Sequence, residues 1–285
     1  MLSIGRVRSG PWPSLGAACL VALTSVSAAF ADTRDVELAH QTVHVLVQTP
    51  VGTQASVVVV VASGAAGWRG LTSDVGDRLS AAGYAVVGLD TRSYLIEGTR
   101  LFGALAPADL GDDYLAVLRS VRGWFPDVQF VYLLGVSEGA GLAVVAAADP
   151  RVGTQLTGLV GLETPRAVSL RSPYWTWTTW ITHRDADEAS VFTGDYLAAV
   201  APVPVTFIDA PCEPGGRCAS AHATFDRGGE PRRWAVIDTG GPPVDGTQDR
   251  LVDALRRSFE WSVAVSRSSD PDAPAVGGPA ARSLR

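Results

Sequence analysis

The chain predicts an α/β fold, a mainly parallel central sheet with helices on both faces. Three observations support it. Short apolar runs of strand length alternate with longer stretches whose apolar residues recur at helical spacing, the pattern of strands joined by crossover helices. Several runs are continuous in apolar residues; residues 56–62 read Ser-Val-Val-Val-Val-Val-Ala, which fits a strand covered on both faces. Finally, Gly135-Val136-Ser137-Glu138-Gly139 falls where such a run hands over to a helical pattern, a tight strand-turn-helix connection.

Composition agrees. The 285 residues are 47% hydrophobic and 18% charged, the reverse of a disordered chain. The length fits one domain of moderate size or two small ones. All 23 basic residues are Arg, and 29 acidic residues leave a net charge of −6. That balance argues against nucleic acid as a partner, which calls for a concentrated basic face.

Residues 1–31 read as a secretory signal peptide. Arg6 and Arg8 form a basic region, residues 15–30 are almost free of charge, and Ala29-Phe30-Ala31 is a small-x-small cleavage site before Asp32. The apolar stretch is short for a membrane span. Cys19 lacks the upstream apolar run of a lipoprotein signal, and no second run of transmembrane length follows. The expected mature protein starts near Asp32, has no integral span after cleavage, and is periplasmic or secreted.

Residues 32–265 then form the folded domain. Residues 36–47 alternate as an edge strand does, with His40 and His44 on one face. Residues 56–62 are a buried strand, followed by the turn Ser63-Gly64-Ala65-Ala66-Gly67-Trp68. Residues 74–82 have helical spacing, with Val75, Leu79 and Ala82 on one side and Gly83 as terminator. Residues 84–89 form the next strand, with Asp90 after it. Leu110, Tyr114, Val117, Leu118 and Val121 mark a helix over 109–124, and residues 130–134 a third buried strand. A helix over 140–148 stops at Asp149-Pro150. Residues 159–162, 205–208 and 234–237 are further strands, and 247–265 a last amphipathic helix. Residues 266–285, rich in Ser, Pro, Ala, Gly and Arg, read as a disordered tail.

Gly135 to Gly139 match the G-x-S-x-G nucleophile elbow in the context its chemistry requires. The glycines allow close backbone approach, and the turn presents the Ser137 hydroxyl above the sheet. The fold expected is therefore α/β-hydrolase-like. The Glu138 amide supplies one oxyanion donor, and the turn at Ala65, Ala66 and Trp68 is the expected source of a second. The Glu138 side chain is expected to be a solvated charge, disfavouring an anionic substrate group or selecting a cationic one.

A serine nucleophile also needs a base and an acid that orients it. Asp209 and Glu213, after the strand at 205–208, are candidate acids. In this fold the base follows the last strand, but residues 238–246 read Asp-Thr-Gly-Gly-Pro-Pro-Val-Asp-Gly, and no histidine occurs after His222. His183 and His222 remain as candidates, His183 first because it follows an aromatic stretch that is a candidate cap over the pocket. That stretch, Tyr174, Trp175, Trp177 and Trp180, reads either as packing or as an aromatic rim at a lipid-facing mouth. Cys212 and Cys218, an even pair in an exported protein, are expected to form a disulfide. With His222 as the one further nearby ligand, no metal is expected, nor any other cofactor.

Ser63-Gly64-Ala65-Ala66-Gly67-Trp68-Arg69-Gly70-Leu71 resembles the SGDGGWRGL signature of the bacterial virulence proteins VirJ and AcvB. Val87-Gly88-Leu89-Asp90-Thr91-Arg92-Ser93-Tyr94 is similar to that family's second motif, and Gly135 to Ala140 match its elbow. Cys212 and Cys218 resemble its cysteine pair, and Gly240-Gly241-Pro242-Pro243-Val244-Asp245-Gly246 aligns with its GGHHFDG. The resemblance spans residues 56–259. It implies an exported α/β-hydrolase-fold protein linked to virulence, with aminoacyl-phosphatidylglycerol hydrolysis as the family activity. This chain departs from it: Pro242 and Pro243 replace the His pair, Ala65 an Asp, and Glu138 an aromatic residue. The expected function is a serine esterase with an incomplete triad, acting on a phospholipid or small ester. The alternative is a non-catalytic relative that binds a lipid or an envelope protein; no protein partner is specified.

Overall fold

Valines 57 to 61 send alternate side chains to opposite faces of a sheet, and both faces are covered. Val58 and Val60 join Val87, Leu133 and Leu159 in one apolar cluster; Val59 and Val61 join Val86, Leu134 and Val160 in the other. A computed structural model describes residues 30–50, 55–99, 103–171, 190–211, 217–237 and 247–269.

The elements in chain order are β1 (Phe30–Glu37), β2 (Thr42–Thr49), β3 (Val57–Ala62), α1 (Leu71–Ala81), β4 (Ala85–Leu89), α2 (Thr91–Gly98), α3 (Pro107–Trp124), β5 (Phe130–Val136), α4 (Glu138–Ala147), α5 (Pro150–Gly153), β6 (Gly158–Leu162), β7 (Ala167–Ser169), β8 (Ser190–Phe192), α6 (Thr193–Leu197), β9 (Val205–Asp209), α7 (Arg217–Phe225), β10 (Arg232–Val236) and α8 (Thr247–Ser269). Eight strands make one sheet in the order β1-β2-β4-β3-β5-β6-β9-β10, and β7 and β8 pair separately. From β4 to β10 all pairings are parallel; β1 and β2 join antiparallel at one end. This is the mainly parallel sheet the sequence predicts.

Helices α3 and α4 cover the first face. Leu110, Tyr114, Val117, Leu118 and Val121 of α3 are buried there, and α4 buries every residue from Gly139 to Ala147. Helices α1 and α8 cover the second, with Val75, Leu79, Leu255 and Phe259 at its centre. The Phe259 ring lies 4.3 Å from that of Tyr132, whose hydroxyl donates to the Phe259 carbonyl at 2.9 Å. Each such side chain contributes roughly 1.5–3 kcal/mol. Gly83, at φ 95°, closes α1 by adopting the left-handed conformation glycine tolerates.

Several expectations need correction. The single edge strand over 36–47 is a hairpin: the chain reverses where the Leu38 amide donates to the Gln41 carbonyl at 2.8 Å. His40 therefore sits in the turn, while His44 is in β2 with Nδ1 2.6 Å from the Asp35 carboxylate. Alternation continues on both sides of the turn, so periodicity alone merges the strands. Strand β1 begins at Phe30, two residues before Asp32. Helix α4 starts at Glu138, and α8 reaches Ser269, into the segment read as tail. Helices α2, α5, α6 and α7, and the β7–β8 pair, were not foreseen.

Candidate active site at the ends of the parallel strands

Strand β5 delivers the chain to Ser137, whose backbone lies at φ 50°, ψ −119°. Among the described residues only Ser137 and Glu163 are non-glycines with positive φ. Such a conformation costs about 1–3 kcal/mol and persists only where neighbours over-determine it. Here they do. A Cβ on Gly139 would lie 2.3 Å from the carbonyl oxygens of Ala62 and Ser63, and one on Gly135 would lie 2.2 Å from the Ala140 Cα. The Ser137 amide donates to the Leu162 carbonyl at 2.8 Å, and the Ala140 amide to the Ser137 carbonyl at 2.8 Å. The end of β3, the end of β6 and the start of α4 thus converge on one half-buried serine.

The turn after β3 stands against this elbow. A Cβ on Gly64 would lie 3.3 Å from the Val136 carbonyl oxygen and 3.5 Å from the Ser137 Cβ. Asp90 holds the turn from below: its carboxylate accepts the Trp68 amide at 3.1 Å and the Ser93 amide at 2.9 Å. The Thr91 amide donates to the Ser63 hydroxyl at 2.9 Å. The Trp68 ring is packed on the bare backbones of Gly88 and Gly76, where an added Cβ would meet it at 2.3 and 2.8 Å. Trp68 anchors the turn by packing, while Ala65 and Ala66 are exposed.

Glu138 differs from the solvated charge expected. It is half-buried, and the Ala65 amide donates to its Oε2 at 3.0 Å. Burial pushes its carboxyl up, but the amides of Ala65 and Glu138 and the Ser137 hydroxyl outweigh that, so it lies below the usual carboxylate range.

Two strands along the sheet, β9 ends in Asp209. The Ile237 amide donates to the Asp209 carbonyl at 2.9 Å, which seats β10 beside it. Burial, reinforced by the charge of Glu163, pushes the Asp209 carboxyl up to about 6; His222 opposes the shift. Among the described residues the buried Asp209 Oδ2 has no hydrogen-bond partner. His222, on α7, stacks on the Trp234 ring at 3.8 Å with an 18° tilt. Glu163 follows β6 at φ 51° and was missed in the sequence reading. An acid directly after a buried strand is its sequence signal, the same one that drew attention to Asp90 and Asp209.

The structure thus brings Ser137, Glu138 and Ala65 together, and Asp209 near Glu163 and His222. His183, Cys212, Glu213, Pro242, Pro243 and the Trp175 to Trp180 stretch lie outside the described residues. Cys218 falls in the first turn of α7. Among the described residues no His, Cys, Asp and Glu group could hold a metal ion, and no helix is long and apolar enough to cross a membrane. A groove of about 530 Å³ beside α7 is lined by Arg166, Phe192, Asp195, Thr224 and Arg227 among others, but not by Ser137 or Asp209. Its size does not outweigh the elbow geometry as a marker of chemistry.

Residues 56–200 match the family model described as "Bacterial virulence protein (VirJ)". No curated protein matches the chain by sequence. Among solved structures it is similar to Est1E from Butyrivibrio proteoclasticus, at 11% identity and TM-score 0.58, covering 81% of this chain and 99% of that one. The dienelactone hydrolase from Anabaena variabilis aligns at 17% identity and TM-score 0.57, covering 82% and 98%. The esterase domain of a Rhodothermus marinus protein aligns at 14% and 0.56, covering 82% and 98%. At these identities the likeness is one of fold, and the fold is that of the α/β-hydrolases.

Proposed function

Because the chain belongs to the VirJ family of bacterial virulence proteins, we propose that it is an exported serine esterase acting on a lipid-linked ester, such as an aminoacyl-phosphatidylglycerol. The observation that carries this reading is Ser137 itself. It is held at φ 50° between β5 and α4, with the Gly64-Ala65 turn against it. Esterases among the structural neighbours support an ester as substrate.

In the proposed reaction the Ser137 hydroxyl adds to the ester carbonyl carbon and passes its proton to a base. Collapse releases the alcohol and leaves an acyl-serine, which water hydrolyses. Asp209, which ends β9, is the acid best supported. Its electrostatic coupling to His222 and the seating of His222 on Trp234 favour His222 over His183 as substitute base. Glu213 remains the second candidate acid. The aromatic stretch from Tyr174 to Trp180 is proposed as the lipid-facing rim. Cys212 and Cys218 are proposed to be joined, a crosslink worth roughly 2–3 kcal/mol; peptide mapping without reductant that finds two free thiols would refute it.

The second reading, a non-catalytic relative that binds a lipid or an envelope protein, is favoured by Pro242 and Pro243 where the family has histidines. Fluorophosphonate labelling and hydrolysis of a short acyl ester decide between them. Loss of a triad member typically costs about 10⁴ in rate, so the wild type should be slow, Ser137→Ala inert, and Pro242→His or Pro243→His faster. Absence of labelling in the wild type and in both histidine variants would leave the binding reading standing.

A further inference from the structure

In an elbow, the residue after the nucleophile lends its amide to the oxygen that becomes negative in the transition state. Here that residue is Glu138, and its own side chain turns back onto the donors. The Ala65 amide, the donor expected from the opposite turn, is spent on Glu138 Oε2 at 3.0 Å, a contact between residues 73 apart in sequence. The Glu138 amide and the Ser137 hydroxyl interact with the same carboxylate. The space is tight: a Cβ on Gly64 would lie 3.6 Å from that oxygen. A carboxylate oxygen facing amides from both sides of the nucleophile imitates the oxyanion of a tetrahedral intermediate.

We propose that Glu138 is a resident plug of the oxyanion hole, a specificity-determining carboxylate that an incoming carbonyl oxygen must displace. The proposal rests on Ser137 being the nucleophile of the reading above. Two anions cannot share the same pair of amides, so the transition state forms only after the carboxylate has swung away. Displaced, it stays tethered one residue from the nucleophile and repels acyl groups that carry a negative charge close to the ester. Substrates that bind weakly near the hole leave the plug in place.

The test has one readout independent of chemistry and one that depends on it. In amide-resolved NMR of the mature chain, acetate serves as a free substitute for the missing side chain. In Glu138→Ala, acetate should shift the Ala65 amide saturably. In the wild type it should leave that amide unmoved, and Glu138→Gln, which keeps a neutral acceptor of the same shape, should fall between. Fluorophosphonate labelling of Ser137 should be faster in Glu138→Ala than in the wild type by about tenfold or more, since a single oxyanion donor is worth about 10²–10³ in rate. An Ala65 amide that responds to acetate in neither protein, or equally in both, overturns the plug whatever the reactivity. Acetate binding confined to the variant, with labelling no faster than in a reactive wild type, overturns the requirement for displacement. Selective acetate binding with no labelling of either protein sinks the esterase reading instead and leaves Glu138 as the plug of a binding pocket.

Discussion

Ser137 and Asp209 stand at the same end of the same sheet, with β6 between their strands, yet different physics holds them. At the elbow the backbone has no latitude: glycines at 135 and 139 sit where any Cβ would enter neighbouring backbone, and the Ser137 amide and carbonyl are both bonded. At the acid corner the backbone is ordinary ladder, and the side chains carry the interest. One carboxylate oxygen of Asp209 is buried with no hydrogen-bond partner among the described residues, burial and then a second carboxylate raise its pKa, and a histidine on a separate helix opposes that. Steric construction makes the elbow backbone intolerant of added atoms. Electrostatic construction makes the corner sensitive to pH and open to replacement.

The largest expected effect tests the steric half. Gly139→Ala places a methyl 2.3 Å from two carbonyl oxygens, and neither can retreat without breaking β3 from its turn. The cost should reach or exceed about 3 kcal/mol, the upper end for overpacking. Gly64→Ala, whose nearest contact is 3.3 Å, should cost about 1 kcal/mol or less. Urea denaturation of both variants gives the comparison directly. Equal midpoints would mean that the elbow is not held by steric exclusion.

The next effect has the opposite sign. Ser137 holds a φ of 50° that glycine adopts without strain, so Ser137→Gly should stabilise the fold by about 1–2 kcal/mol even after allowing for the greater freedom of glycine in the unfolded chain. Ser137→Ala keeps the strain and should be nearly neutral. If glycine at 137 destabilises instead, the serine conformation is not strained and its geometry needs another cause.

The same division explains what could be read in advance. The Val run at 57–61, the helical spacing from Leu110 to Val121 and the glycines around Ser137 are local patterns, and each fixes backbone by periodicity or sterics. Their elements occur within a few residues of the expected bounds. The hairpin of β1 and β2 was hidden because alternation does not register a turn lacking Gly or Pro. The role of Trp68 depends on two glycines, Gly76 and Gly88, on separate elements. Glu138 looked like a surface charge because nothing in its neighbours in sequence reveals that the Ala65 amide lies 3.0 Å away. Glu163 joined Asp209 only when β6 and β9 were placed side by side.

The smallest effect concerns the electrostatic half. Burial, reinforced by the charge of Glu163, lifts the Asp209 carboxyl from its ordinary 3.8 to about 6 in the folded protein, so the folded state holds this proton more tightly than the unfolded chain. Below both values each state is protonated, and Asp209 costs nothing. Between about pH 4 and 6 the unfolded chain releases its proton first, so stability falls as pH rises, and above 6 the full cost remains. The shift sets an upper bound of about 3 kcal/mol, and partial access to solvent reduces it to the order of 1 kcal/mol. Asp209→Asn should therefore stabilise the protein by that amount at pH 8 and by nearly nothing at pH 4, as read from urea midpoints. It should also lower any esterase activity, because a neutral amide cannot stabilise a protonated His222. A variant that gains equally at both pH values would show that the carboxyl is strained by packing and not by its charge, and the two regions would then differ less than their geometry implies.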